Sequence, residues 1–230
     1  MQTYQPPTGK KVVLVGNGPG VLFYTMGTLI DAANNYVVRF NMQPVNAHYS
    51  QFTGTRTDLR LVSTDVWLHK RDKLLPFKHD RICVVDSNLT LTSGGMIRNS
   101  TQKLHALGSC GFDDVCMLPT PEMAIRATTG FVAISIFQLH NDVHLFGFSH
   151  NMHHFYERYV PSTTHHCYAM EKLFIEDMIL DGKLHRMETM HADAKLQPPP
   201  KRHIVKHDRQ TNAGSSHLLR KLRPSSKRTR

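Results

Sequence analysis

The sequence contains no hydrophobic run that approaches the length of a membrane-spanning helix. Crossing a bilayer takes about 20 consecutive apolar residues, and the apolar runs in this chain of 230 residues are much shorter. The first segment, MQTYQPPTGKK, also lacks the apolar stretch of a secretory signal. We therefore expect no membrane span, and these absences favour a soluble, cytoplasmic protein.

Cysteines and metal-binding motifs are also scarce. The four cysteines, Cys83, Cys110, Cys116 and Cys167, form no C-x-x-C pair, so we expect reduced thiols and no disulfide framework. The chain has two histidine doublets but neither H-E-x-x-H nor Asp-x-Asp, spacings that commonly hold zinc or another divalent ion. We expect no bound metal and no other cofactor.

Acidic side chains are nearly absent from the C-terminal segment. Lys195 to Arg230 carries 11 Lys or Arg against the single Asp208, whereas residues 1–194 carry 17 basic and 17 acidic side chains. Because the segment also has few apolar side chains to offset the entropy of folding, we expect a disordered tail. Such a tail attracts nucleic acid or anionic membranes, although a solvated extension is the simpler explanation. A nucleic-acid partner is expected only through the tail, if at all.

Apolar runs alternate with stretches of helical spacing, which predicts an α/β fold. Residues 12–15 are uninterruptedly apolar and end in a glycine loop, as expected for a strand buried on both faces of a parallel sheet. We expect an extension at residues 1–9, one folded domain at 10–194 and the basic tail at 195–230. Further strands are predicted at 36–40, 59–63, 81–85 and 143–147, and helices at about 95–107, 130–140 and 164–181.

The loop Gly16-Asn17-Gly18-Pro19-Gly20 follows the first of these strands. Glycine has no Cβ, so backbone N–H groups in such a loop can approach an anionic ligand closely. Open α/β sheets bind ligands at the carboxyl ends of their strands. The loop is neither G-x-G-x-x-G nor a P-loop, and a tight strand-to-helix turn explains it equally well.

A second candidate anion site is Thr128-Thr129-Gly130, which precedes a predicted helix. Hydroxyls and free N–H groups at a helix N-terminus, together with the helix dipole, favour a phosphate or carboxylate. An ordinary threonine helix cap is the alternative.

Two histidine segments follow, His154-Phe155-Tyr156-Glu157 and HHCYAME at 165–171. Imidazole titrates near neutral pH, so it can serve as a general base or donate a proton. A histidine that is only a core or surface residue is the alternative for each. Glu171 lies about 140° around a helix from His166, so we expect it to brace a helix start or a neighbouring loop rather than to bond His166 directly.

Taken together, these segments resemble the motifs of the animal-type sialyltransferases. The stretch from Val12 to Asp58 is similar to the long sialylmotif, and Thr128-Thr129-Gly130 with the following FVAISIFQLHNDVHLFGF resembles the short one, with Thr in place of its opening Ser. HFYE resembles the third motif, and a histidine followed five positions later by glutamate resembles the very short motif. Positions that match the long motif are Gly16, Asn17, Gly27, Ile30, Asp31, Val38, Arg39, Asn41, Pro44, Gly54 and Thr57.

The resemblance implies a GT-A-like variant fold with a Rossmann-like, mostly parallel sheet flanked by helices. It also implies that the domain at 10–194 is catalytic and transfers sialic acid from CMP-sialic acid to a hydroxyl of a glycan acceptor, with inversion and without metal. A monophosphate leaving group has less charge to neutralise than a diphosphate, which agrees with the missing metal ligands.

The resemblance further implies a role for individual residues. His166 is the expected general base, and His154 is expected beside the leaving phosphate. Glu171 and Tyr156 are expected to give structural support. For Asn41, a turn residue at a strand end is the alternative. The expected donor-binding residues are Asn17, Gly18, Asn41, Thr128, Thr129 and Gly130.

The chain departs from the family in one respect. Lys11, and His140 or its neighbours, stand where the family has cysteines, so the family's linking disulfide cannot form. This fits a reducing compartment and a microbial, algal or viral enzyme better than a Golgi membrane protein. Three alternatives stay open: transfer of another CMP-linked acid sugar such as Kdo, a non-catalytic nucleotide or RNA binder with a basic tail, and a decayed family member.

Overall fold

A parallel sheet forms the centre of the computed structural model, which describes residues 2–77, 81–85, 115–117, 127–149, 154–156 and 168–191. The strands are β1 (Gln2–Thr3), β2 (Lys11–Val15), β3 (Asn35–Phe40), β4 (Leu59–Ser63), β5 (Ile82–Val85), β6 (Val115–Met117), β7 (Asp142–Phe146) and β8 (Leu184–Arg186). Within the described residues these strands form one sheet in the order β1-β6-β5-β4-β3-β2-β7-β8. Each neighbouring pair runs parallel.

Helices cover both faces of the sheet. The α-helices are α1 (Gly27–Ile30), α2 (Ser50–Thr53), α3 (Thr64–Lys70), α4 (Thr129–Phe137), α5 (Tyr168–Leu180) and α6 (Met187–Met190), and 3₁₀ turns span Pro19–Phe23 and Arg71–Phe77. Val12 and Leu14 of β2 share a core cluster with α4 and Ile175 of α5. Val13 and Val15 face the other way, into a cluster with the first 3₁₀ turn, α1 and α6. This arrangement confirms the α/β fold with a parallel, helix-flanked sheet.

The central strands lie within one residue of their predicted ends, and β4 lies where the sequence places it. The sequence does not predict β1, β6 and β8, because strands of two or three residues are too short to show a period. β1 pairs with β6, so the expected N-terminal extension contributes an edge strand. The predicted helix at 95–107 lies outside the described residues.

The chain divides into two units, Met1–Pro199 and Pro200–Arg230. The second unit and the rest of the basic tail lie outside the described residues. In the part of the chain that is described, no helix combines the length and the apolar character needed to cross a membrane.

The expectation of reduced thiols is corrected at Cys83, which is disulfide-bonded. Cys83 is buried on β5, and its register partner on β6 is Cys116. The side chains of the other three cysteines lie outside the described residues. The absence of a C-x-x-C pair does not exclude a disulfide between cysteines that are farther apart in sequence. The argument for a reducing compartment loses the support it drew from free thiols.

Candidate donor-binding site

The order of the strands creates a crevice beside β2. The chain runs from β2 through β3, β4 and β5 to β6 on one side and then returns to β7 on the other side of β2. Such a reversal is where open α/β sheets bind ligands, outside the carboxyl ends of the two strands that flank it. The loops after β2 and β7 contain the glycine loop and Gly147, so the candidate site lies where these loops meet.

The backbones of these two loops approach each other closely. The Gly16 N–H donates to Phe146 O at 2.7 Å and the Gly18 N–H donates to Gly147 O at 3.0 Å. A Cβ on Gly16 would lie 2.5 Å from Gly147 O, and one on Gly18 would lie 2.1 Å from Ser149 Oγ. These glycines are therefore required by the contact between the loops. The Gly18 N–H, which the sequence suggests for an anion, is already used within the protein.

Asn17 lies between these glycines and has an unsatisfied acceptor. Its side-chain Oδ1 is buried and has no hydrogen-bond partner among the described residues. A buried polar atom without a partner costs free energy, so a ligand that supplies an N–H or O–H here would recover it. Of the predicted donor-binding residues, Asn17 is the one whose geometry points most directly to a missing ligand.

The third motif is attached to this same loop. The Phe155 N–H donates to the backbone oxygen of Asn17 at 2.9 Å, and the Phe155 ring packs against Tyr49 with centroids 4.9 Å apart. The rings of His154 and Tyr156 flank Phe155 in sequence and lie 5.2 Å from each other. The structure thus holds the predicted catalytic His154 beside the glycine loop, which is more than 130 residues away in sequence.

Asn41 follows β3, the other neighbour of β2, and has an unusual backbone conformation. Its φ of 50° is positive, a conformation that asparagine tolerates better than most residues. Its side-chain Oδ1 accepts a hydrogen bond from the Ser63 N–H at 2.9 Å. The amide oxygen therefore fixes the turn after β3, and the amide nitrogen is a donor that can bind a ligand.

Two buried arginines and Gln43 hold the segment around Asn41. Arg39 donates to Gln43 Oε1 at 3.3 Å and to Thr53 O at 2.7 Å. Gln43 Nε2 in turn donates to Gly16 O at 2.9 Å. Arg60 Nη1 donates to the backbone oxygens of Asn41 and Gln43. This network ties the glycine loop to the β3 turn. It also explains why Arg39, a position that matches the long motif, is fully buried.

Helix α4 presents its N-terminus to the same edge of the sheet. Thr128 is its cap, and the Thr128 Oγ1 accepts from the Phe131 N–H at 3.1 Å. This cap does not use the N–H groups of Thr129 and Gly130, which lie in the first turn, at the positive end of the helix dipole. The Phe148 ring packs between the start of α4 and the glycine loop. A Cβ added to Gly130 would lie 3.0 Å from this ring, and a Cβ added to Gly16 would lie 3.1 Å from it.

Glu171 on α5 is attached to this helix start. Its Oε1 accepts from the Thr128 N–H at 2.6 Å and its Oε2 accepts from the Thr128 hydroxyl at 2.7 Å. The side chain is buried, with 2% exposed. Burial raises the pKa of Glu171, and the hydrogen bonds from Thr128 oppose that shift. Met170 and Leu173, two apolar residues of the same helix, are exposed.

Replacing Glu171 with alanine should lower the free energy of unfolding by about 1–3 kcal/mol, because the partly buried N–H and hydroxyl groups of Thr128 would lose their acceptors. Glu171→Gln keeps one acceptor oxygen and should lose less stability than Glu171→Ala.

The stability of the wild type should also depend on pH. Since folding raises the pKa of Glu171 above 4.5, the folded protein binds a proton more readily than the unfolded chain. The wild type should therefore gain stability relative to Glu171→Gln as the pH falls through the raised pKa toward 4.5. Urea unfolding at several pH values measures both effects, and a pH-independent difference between the two would contradict this account.

The structure thus gathers Asn17, Gly18, Asn41, the Thr128–Gly130 segment and His154 at one edge of the sheet. His166, the predicted base, lies outside the described residues. Sequence reasoning missed Gln43, Gly147 and Phe148. The sequence did contain a signal for Gly147, since a glycine that directly follows an apolar run often marks a turn.

Comparisons with known proteins agree with this geometry. Residues 3–89 match the family model for glycosyltransferase family 29 (sialyltransferase). The crystal structure of a mammalian sialyltransferase is similar, with a TM-score of 0.54 and 15% identity over 78% of this chain and 69% of that one. The sialyltransferase CstII from Campylobacter jejuni, solved in complex with a substrate analogue, cytidine-5'-monophosphate, has a TM-score of 0.51 and 11% identity over 87% and 90% of the two chains. No curated protein matches the chain in sequence.

The fold is therefore similar to that of solved sialyltransferases. Residues 3–89, which include the glycine loop and the β3 turn, match the model for glycosyltransferase family 29 (sialyltransferase). The resemblance seen in the sequence motifs is thereby confirmed.

Proposed function

We propose that this protein transfers sialic acid from CMP-sialic acid to a hydroxyl group of a glycan, with inversion at the anomeric carbon. The observation that supports the proposal is that Asn17, Asn41 and the α4 N-terminus lie in the loops around the carboxyl end of β2, which β3 and β7 flank. The unsatisfied Asn17 Oδ1 suits a hydrogen-bond donor on the nucleotide. The N–H groups of Thr129 and Gly130 suit its phosphate.

In the proposed reaction, His166 removes the proton from the acceptor hydroxyl while the oxygen attacks the anomeric carbon. The bond from that carbon to the phosphate oxygen breaks, and its electron pair leaves with CMP. Positive charge develops on the sugar ring in a transition state that resembles an oxocarbenium ion. His154 and the helix N-terminus stabilise the departing phosphate, a form of stabilisation that preorganised dipoles supply effectively. We propose that no divalent ion takes part.

The test is to incubate the full chain with CMP-sialic acid and a galactoside acceptor in EDTA and to measure released CMP and sialylated product. The proposal predicts product formation that added magnesium or manganese does not increase. Turnover that requires a metal would overturn the metal-independent mechanism. The absence of turnover, of donor hydrolysis and of CMP binding would overturn the transferase itself.

CMP-Kdo should be assayed in parallel, because the donor loops read the shared CMP and the sugar pocket decides between the two acids. Faster turnover of CMP-Kdo would identify that sugar as the donor instead.

The basic tail favours one alternative, a non-catalytic nucleotide or RNA binder. Truncation after Gln197 removes ten of the eleven tail cations. The transferase proposal predicts little change in CMP affinity, and a large loss would indicate that the tail forms the binding site.

A further inference from the structure

Glu188, in the first turn of α6 directly after β8, contacts the candidate site. Its Oε1 accepts the Gly147 N–H at 2.9 Å. Its Oε2 is buried and has no hydrogen-bond partner among the described residues. The carboxylate therefore contacts the crevice through one oxygen, and that oxygen binds a backbone group at the end of β7.

Gly147 is held in an orientation that the glycine loop depends on. Its φ of +75° lies in the left-handed region, where a residue other than glycine is strained. An added Cβ would also lie 2.3 Å from Val21 Cγ1. With its N–H fixed by Glu188, the residue directs its own carbonyl to the Gly18 N–H, 3.0 Å away.

The contact continues from Gly18 into the motif segments. Asn17 precedes Gly18, and the backbone oxygen of Asn17 accepts the Phe155 N–H at 2.9 Å. Phe155 lies between His154 and Tyr156. A continuous series of contacts thus runs from Glu188 through Gly147 and the glycine loop to the segment that carries His154.

We propose that Glu188 is a positioning residue that fixes the Gly147 peptide and, through it, Asn17 and the His154 segment. Its effect on the reaction rests on the proposed function, whereas its effect on the loops does not. The contact requires an acceptor oxygen at the right distance and does not require charge, because Glu188 forms no ion pair within the described residues. Glutamine, which keeps the oxygen, should therefore substitute for it. Aspartate, which keeps the charge but is one methylene shorter, should not.

The experiment combines amide hydrogen exchange with CMP titration on the full chain. In Glu188→Ala and Glu188→Asp, exchange of the Gly147, Gly18 and Phe155 amides should become about tenfold faster or more, corresponding to the loss of one hydrogen bond. CMP affinity should fall by a similar factor. Glu188→Gln should resemble the wild type in both measurements. Glu176→Ala is the matched control, since it removes a carboxylate that pairs with Arg186 and does not contact the loops.

The outcomes separate the two claims. Unchanged exchange at Gly18 in both the alanine and aspartate variants would overturn the positioning role, even if CMP binds normally. A wild-type response from aspartate with a loss in glutamine would also overturn it, because charge would then be the requirement. If the wild type does not bind CMP while exchange responds as expected, the proposed function fails and the positioning role stands. If Glu188→Ala does not fold, the aspartate and glutamine variants decide.

Discussion

Replacing His166 with alanine should reduce sugar transfer by about 10²–10⁴-fold, the usual contribution of a general base, while CMP binding stays unchanged. The reason is that the resemblance implies separate residues for activating the acceptor and for binding the nucleotide. In the proposed mechanism, His166 acts on the acceptor hydroxyl, whereas the loops at the carboxyl ends of β2 and β7 bind the nucleotide. Initial rates of CMP release and calorimetric titration with CMP measure the two effects separately.

The matched control for this variant is His140→Ala. His140 is exposed beyond the C-terminal end of α4, and its backbone oxygen accepts from the Gly9 N–H near the start of β2, at the opposite edge of the sheet. Its side chain should not affect transfer. A His166→Ala protein that keeps near wild-type turnover would contradict the assignment of the base. If the variant instead loses CMP binding, His166 belongs to the donor site.

Adding one methyl group at Gly18 should destabilise the protein by about 1–3 kcal/mol, as overpacking does in a tightly packed region. It should also weaken CMP binding by about tenfold or more, a change of about 1.4 kcal/mol. The new Cβ would lie 2.1 Å from Ser149 Oγ and 2.6 Å from Gly147 O. The loops must therefore separate, and Asn17 moves with them. Thermal unfolding and CMP titration report the two losses.

Gly20→Ala is the control within the same loop. A Cβ on Gly20 meets nothing within 4 Å, so this variant should bind CMP normally and have stability equal to or slightly above that of the wild type. Equal behaviour of the Gly18 and Gly20 variants would show that the approach of the two loops does not matter for binding.

The sequence predicted the fold well where apolar runs were long. Residues 12–15 were expected as a strand and form most of β2, because a strand buried on both faces needs an unbroken apolar run. The two residues of β1 show no such signal, and only pairing with β6 makes them a strand. The parallel sheet follows from alternating elements, but the order of the strands, including the reversal beside β2, had to come from the structure.

In the site, too, the sequence predicted what depends on neighbouring residues and missed the contacts between residues that are distant in sequence. The motifs located Asn17, Asn41 and Thr128 because each lies at the end of a strand or the start of a helix. They could not show that Gly18 is required by Gly147, or that Glu171 binds Thr128 from 43 residues away. A sequence does not distinguish a glycine that binds phosphate from a glycine that allows two backbones to approach closely. Coordinates distinguish them, because they show what an added Cβ would touch.

The central claim is that CMP binds in the crevice between β2 and β7, and a titration followed by backbone amide chemical shifts tests it most directly. We expect CMP to shift the amides of Asn17, Asn41, Thr129 and Gly130 together, with one dissociation constant. Shifts confined to the basic segment from Lys195 to Arg230, with these four amides unchanged, would contradict the account.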